Sequence, residues 1–247
     1  MMNDYKAHLY DESFEMEVLD FNTYVQEGVG LVAAAIVGVA ALVTAIILLI
    51  KKFFFKKDSP ESLWSTLIRI KTKLNSSTAQ GDIVYIKGKV DINALGRGIL
   101  NIQEIIKLMN SMIEVIETPE KANAYVNDIN AQMKAAEQNL NAAYTGDDSS
   151  TWTKYESRKA LIDGCEKLME NAKNIASEVK KLNTSNEKLK KNTDTNKPGA
   201  KTDFTKFYAS LTKTITNATK QASKIDKNIA LKQPSGSGEL KNNGSEQ

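Results

Sequence analysis

Residues Gly28–Ile50 read GVGLVAAAIVGVAALVTAIILLI, 23 residues without a charge, in which Thr44 is the one polar side chain. Wound as a helix at about 1.5 Å per residue, the stretch covers the hydrocarbon core of a bilayer, about 30 Å thick. A soluble helix of this length needs a polar face, and this one has none. The competing reading is a helix buried at the centre of a globular core. The remainder of the chain reads as too polar and too amphipathic to enclose one. A single transmembrane helix over 28–50 is therefore the expectation.

The flanks orient such a span. Residues 1–27 carry seven acids (Asp4, Asp11, Glu12, Glu15, Glu17, Asp20, Glu27) against Lys6. The segment 51–58 opens with Lys51, Lys52, Phe53, Phe54, Phe55, Lys56 and Lys57. Lysine excess marks the cytoplasmic flank, and aromatic rings favour headgroup depth. The expected topology places the N-terminus outside and the C-terminal domain in the cytoplasm. The acidic flank and the length of the apolar run disfavour a cleaved signal peptide. The lysine cluster suits anionic headgroups, each charge contributing about 1 kcal/mol near the surface. Gly30, Ala34, Gly38, Ala41 and Ala45 fall on one helical stripe, and small residues so spaced let two helices approach closely. They form the candidate helix–helix packing face.

The chain has 247 residues and a net charge of +3. The first 27 sum to −6 and the apolar stretch to zero, so the rest carries +9. The lone Cys165 excludes an intramolecular disulfide framework and fits a reducing compartment.

Beyond residue 58 nearly every periodic signal is helical. Ser59-Pro60-Glu61 has the chemistry of a helix start, followed by Leu63, Leu67, Ile70 and Leu74 on one face. Leu95, Ile99, Ile102, Ile106, Met109, Ile113 and Ile116 step four and three, the pattern of a helix–helix seam. A second stripe, Ile105, Leu108, Met112 and Val115, marks this helix as central. Pro119 opens a helix carrying Ala122, Tyr125, Ile129, Met133, Ala136 and Leu140. A further helix presents Ile162, Cys165, Met169, Ala172, Ala176 and Val179, with Leu161, Leu168, Ile175 and Leu182 alongside. The expected fold is all-α: the transmembrane helix, then an antiparallel helical bundle over 59–183. The core is assigned to Ile102, Ile106, Met109, Ile113, Ile129, Met133, Ile162, Met169 and Ile175.

Asp82–Ile92 is the one β-like segment and suggests a small β-hairpin about Lys87-Gly88. Residues 184–203 read as a polar linker. An amphipathic basic helix over 204–232 follows, with Phe204, Tyr208, Leu211, Ile215, Ala218, Ala222, Ile225 and Ile229 on its face. The tail 233–247 is too rich in Gly, Ser and Asn to bury a core and is expected to be disordered. The acidic segment 1–27 reads as amphipathic, with Phe14, Val18, Phe21 and Val25 in helical register.

Catalytic chemistry is sparse. His8 is the only histidine, so zinc spacing is missing and a serine or cysteine triad would need His8. Gly88-Lys89 fails as a phosphate loop, because Ile83 and Val90 stand where Gly and a hydroxyl are required. Asp147-Asp148 is explained as helix-start chemistry. Cys165 lies on an apolar stripe, as a buried small hydrophobe does. No catalytic, cofactor or metal site and no small-molecule substrate are expected. Residues 183–247 hold twelve lysines and six acids, which could attract phosphate. Without Arg forks or an aromatic platform, a solvated lysine face outweighs nucleic-acid binding.

Two functional readings follow. One is a non-enzymatic, single-pass, membrane-anchored helical scaffold that self-associates or holds protein partners at the bilayer. The other is a viral or phage virion structural protein whose apolar segment inserts into or remodels a host membrane.

Overall fold

The computed structural model describes residues 33–56, 62–76, 82–116, 119–146, 152–191, 204–231 and 241–242. Among the described residues six helices and a little β-structure fold together: α1 (Ala33–Ile50), α2 (Leu63–Leu74), α3 (Ile92–Glu114), α4 (Pro119–Ala143), α5 (Arg158–Lys191) and α6 (Phe204–Asn228). A π-helical turn, Lys51–Phe55, continues α1.

Helix α3 is the hub. It packs along α4 and α5 and also meets α6. Its Ile99, Ile102, Ile105, Ile106 and Met109 are fully buried, as two apolar stripes on one helix require. Asp91 caps it, accepting from the Ala94 amide at 2.8 Å. The α3–α4 seam also carries a polar ladder. Arg97 donates to Asn139 at 3.1 Å, Asn139 to Asn101 at 3.0 Å, and Asn101 to Gln132 at 2.7 Å. Gly98 lets these helices approach closely, since a Cβ there would stand 2.6 Å from the Leu140 side chain.

Helix α5 buries Leu161, Cys165, Leu168, Ala172, Ile175, Val179, Leu182 and Asn186, alternating four and three. Of the expected core, Ile102, Ile106, Met109, Ile113, Ile129, Met133 and Ile175 are buried, whereas Ile162 and Met169 are half-exposed beside that stripe. Helix α6 docks on the bundle through Leu211, Ile215, Ala218, Ala222 and Ile225. Helix α2 lies against α5 and α6. Ser62 caps it, accepting from the Ser65 amide at 3.2 Å. The cap is thus three residues later than Ser59, which lies with Pro60 and Glu61 outside the described residues.

The strands correct the hairpin expected about Lys87-Gly88. Strands β1 (Val84–Lys87) and β2 (Lys89–Val90) do form there, but they do not pair with each other. β1 pairs antiparallel with β4 (Trp152–Tyr155) and β5 (Ile229–Ala230), while β2 pairs with β3 (Tyr144–Thr145). Gly88, at φ 82°, hands the chain from one sheet to the other. The strands precede α3 and α5 and follow α4 and α6, so they close one end of the bundle. Tyr155 fastens this end, its hydroxyl accepting from the Val90 amide at 3.0 Å and donating to the Val90 carbonyl at 2.8 Å.

Two boundaries also differ. Residues 184–191, expected in a linker, extend α5. Within the tail, Lys241–Asn242 form β6, parallel to β4. The acidic segment 1–27, and residues 28–32 of the apolar stretch, lie outside the described residues.

The transmembrane helix expected over 28–50 corresponds, in its described part, to α1. Among the described residues no helix is long and apolar enough to cross a membrane. Helix α1 is described over 18 residues, and residues 28–32 of the same apolar stretch lie outside the described residues. One face of it is turned to protein: Val39, Val43, Ile46 and Ile50 are fully buried, and the helix contacts mainly α5 and α6.

Candidate functional site at the docked apolar helix

Helix α1 lies against the C-terminal part of α5. Its inner face steps Val39, Val43, Ile46, Ile50, joined by Leu42, Ile47 and Leu49. Burying these seven side chains is worth about 10–20 kcal/mol before the entropy of ordering the helix is set against it. The outer face is not covered. Leu48 is 48% exposed, Ala41 is exposed and Ala45 half-buried. The small-residue stripe inferred from sequence therefore points away from the bundle where its surroundings are described. Ala34 and Gly38 belong to the same helix, and Gly30 lies outside the described residues.

One polar contact interrupts the apolar interface. Asn186 is fully buried on α5, and its Nδ2 donates to the Ala40 carbonyl at 3.1 Å and to Thr44 Oγ1 at 3.0 Å. Thr44 itself donates to the Ala40 carbonyl one turn back, at 2.9 Å. Asn186 Oδ1 is buried with no partner among the described residues. The sequence held a signal for this residue. Asn186 continues the α5 stripe four positions after Leu182, but a Lys/Asn/Thr-rich neighbourhood masks it.

The basic aromatic segment follows directly. Phe54 is fully buried and anchors the π-helical turn. Phe53 and Phe55 are half-buried, while Lys51, Lys52 and Lys56 are exposed. Lys52 Nζ stands 5.4 Å from the Phe53 ring centroid. Phe55, Trp64, Lys173 and Ala176 line an apolar cleft of about 290 Å³, with Lys173 Nζ 6.0 Å from the Trp64 ring. The cluster is thus cationic at its edge and aromatic beneath. Lys57 lies outside the described residues.

Other candidates fall away from any common site. Cys165 is buried, and burial pushes its thiol up to about 12, with Lys71 opposing and Glu166 adding to the shift. A thiol so placed is a poor nucleophile. Among the described residues no cluster of His, Cys, Asp or Glu could hold a metal. His8, Asp147 and Asp148 lie outside them. Basic groups of α6 are partly engaged within the protein: Lys213 pairs with Glu137 at 2.7 Å, and Lys224 covers the Tyr144 ring at 5.7 Å. No protein-family model, curated protein or solved structure matches the chain.

Proposed function

We propose that this chain is a non-enzymatic helical scaffold that works at a membrane surface, its apolar helix exchanging between the bundle and the bilayer. The observation that carries the reading is the half-covered state of α1. Seven apolar side chains of the helix face protein while Leu48 and Ala41 face solvent. A bilayer would bury both faces, offsetting the loss of the protein contacts. Thr44 would enter lipid without a loose hydroxyl, because its bond to Ala40 lies within the helix. The exposed Lys51, Lys52 and Lys56, with Phe53 and Phe55 beneath, are suited to hold an anionic surface during the exchange.

Inserted, the helix would take the orientation its lysines favour, with the C-terminal domain cytoplasmic. The outward stripe containing Ala41 and Ala45 would then be free to meet a second copy in lipid. The partner classes are a bilayer and a protein, this chain's own copies included. Nucleic acid is the weaker partner, since part of the α6 lysine charge is already paired.

A second reading is favoured by the same concealment. A virion structural protein that delivers an apolar segment to a host membrane must first store it against protein. Flotation of the detergent-free protein with anionic and neutral vesicles tests the membrane reading. Retention on anionic vesicles, lost in Lys51→Glu/Lys52→Glu, is expected, and absence of binding to either would reject it. Sedimentation with assembled particles would select the virion reading.

A further inference from the structure

We propose that Asn186 is a positioning residue that sets the register of the apolar helix on the bundle and keeps its docking reversible. The inference builds on the exchange between bundle and bilayer proposed above. Asn186 occupies a seam position of α5, four residues beyond Leu182 in a stripe otherwise of apolar side chains and Cys165. A single buried amide at such a position selects one register and lowers the stability of the contact it specifies. Apolar contacts alone would allow α1 to slide along α5 by a turn. The two bonds to Ala40 and Thr44, at 3.1 and 3.0 Å, form in one alignment only.

The bonding is also asymmetric. When α1 leaves, Thr44 keeps its bond to Ala40 at 2.9 Å, so the helix carries no orphaned hydroxyl. Asn186, whose Oδ1 has no partner among the described residues in the docked state, regains water on both ends of its amide. The polar contact thus weakens the docked state, whereas an apolar side chain of similar size would strengthen it.

The test uses the full chain carrying Cys165→Ala and Val43→Cys, with maleimide labelling in detergent-free buffer reporting undocking. Asn186→Leu is expected to slow labelling at least tenfold. Thr44→Val, which strands Asn186 further, is expected to speed it at least threefold. Asn186→Leu combined with Thr44→Val should label as slowly as Asn186→Leu alone. A residue that merely fills space would give the opposite sign, because its replacement loosens the contact. Unchanged or faster labelling in Asn186→Leu would overturn the proposal, as would equal rates for Thr44→Val and its parent. Circular dichroism checks folding, and Asn186→Val serves if Asn186→Leu fails to fold. Binding to anionic vesicles is read separately, with at least a tenfold loss expected for Asn186→Leu. If the parent chain binds no vesicles while the labelling order holds, the membrane reading fails and the positioning role stands.

Discussion

Truncating Ile46 and truncating Leu48 should have unequal effects, although the residues are two apart on one apolar helix. Ile46 is fully enclosed and Leu48 is 48% exposed. Ile46→Ala removes buried methyl groups and leaves a cavity against α5 and α6, for a loss of about 2–5 kcal/mol. Leu48→Ala removes a side chain already half in water and opens no enclosed cavity, so about 1 kcal/mol is expected. Urea unfolding, followed by circular dichroism and tryptophan fluorescence, distinguishes them. With a slope of about 2 kcal/mol per molar urea, Ile46→Ala should lower the midpoint by about 1–2.5 M and Leu48→Ala by about 0.5 M. Trp64, beside Phe55 and Lys173, reports the region where α1 turns towards α2. Equal shifts, or none in either variant, would refute the packing argument, because a lipid-facing helix has no inner side.

Gly98→Ala should destabilise by about 1–3 kcal/mol, because the added Cβ meets Leu140 at 2.6 Å and the α3–α4 seam must open. Gly88→Ala should exceed the loss of an ordinary surface change in the same melts, since φ is 82° and the Cβ would stand 2.6 Å from the Thr145 carbonyl oxygen. Asp226, buried and held by Arg69 at 3.0 Å and Lys73 at 2.7 Å, ties α6 to α2. Asp226→Ala should therefore lower stability by about 1–3 kcal/mol, while Asp226→Asn restores part of it in the same titration. Cys165 should resist thiol reagents at pH 8 until the chain is unfolded. Its thiol ionises near 12 in the fold against an ordinary value of 9.0. The contribution of Cys165 to stability is accordingly unchanged below pH 9 and falls by about 1.4 kcal/mol per unit between pH 9 and about 12. Cys165→Ala should flatten that alkaline limb.

The helices of the bundle were legible because their signals are local. Leu63, Leu67, Ile70 and Leu74, or Ile102, Ile106 and Met109, declare a face within a few turns, and all are buried. Strand partners were not legible. The choice of β1 between β2 and the distant β4 depends on where α3–α5 bring Trp152–Tyr155, a non-local matter that Lys87-Gly88 cannot encode. On α5, Ile162 and Met169 gave way to the adjacent stripe of Leu161, Cys165 and Leu168, since two candidate faces differed by one position. Asn186 was hidden by composition, as a linker-like run proved to be the last turns of a long helix. Hydropathy also could not separate the environments open to Val39–Ile50. A protein groove and a bilayer reward the same side chains.

The docking of α1 against α5 is tested most directly by crosslinking within one chain. In a Cys165→Ala background, Thr44→Cys/Asn186→Cys places two thiols where Oγ1 and Nδ2 lie 3.0 Å apart. The control, Leu48→Cys/Asn186→Cys, uses the next turn of α1, where the side chain is 48% exposed. With a short bis-methanethiosulfonate crosslinker, which releases a sulfinate at each thiol, and no detergent or lipid, the first pair should link within the monomer in high yield and the second should not. Equal yields from both pairs would show that the apolar helix does not rest on the bundle in this register.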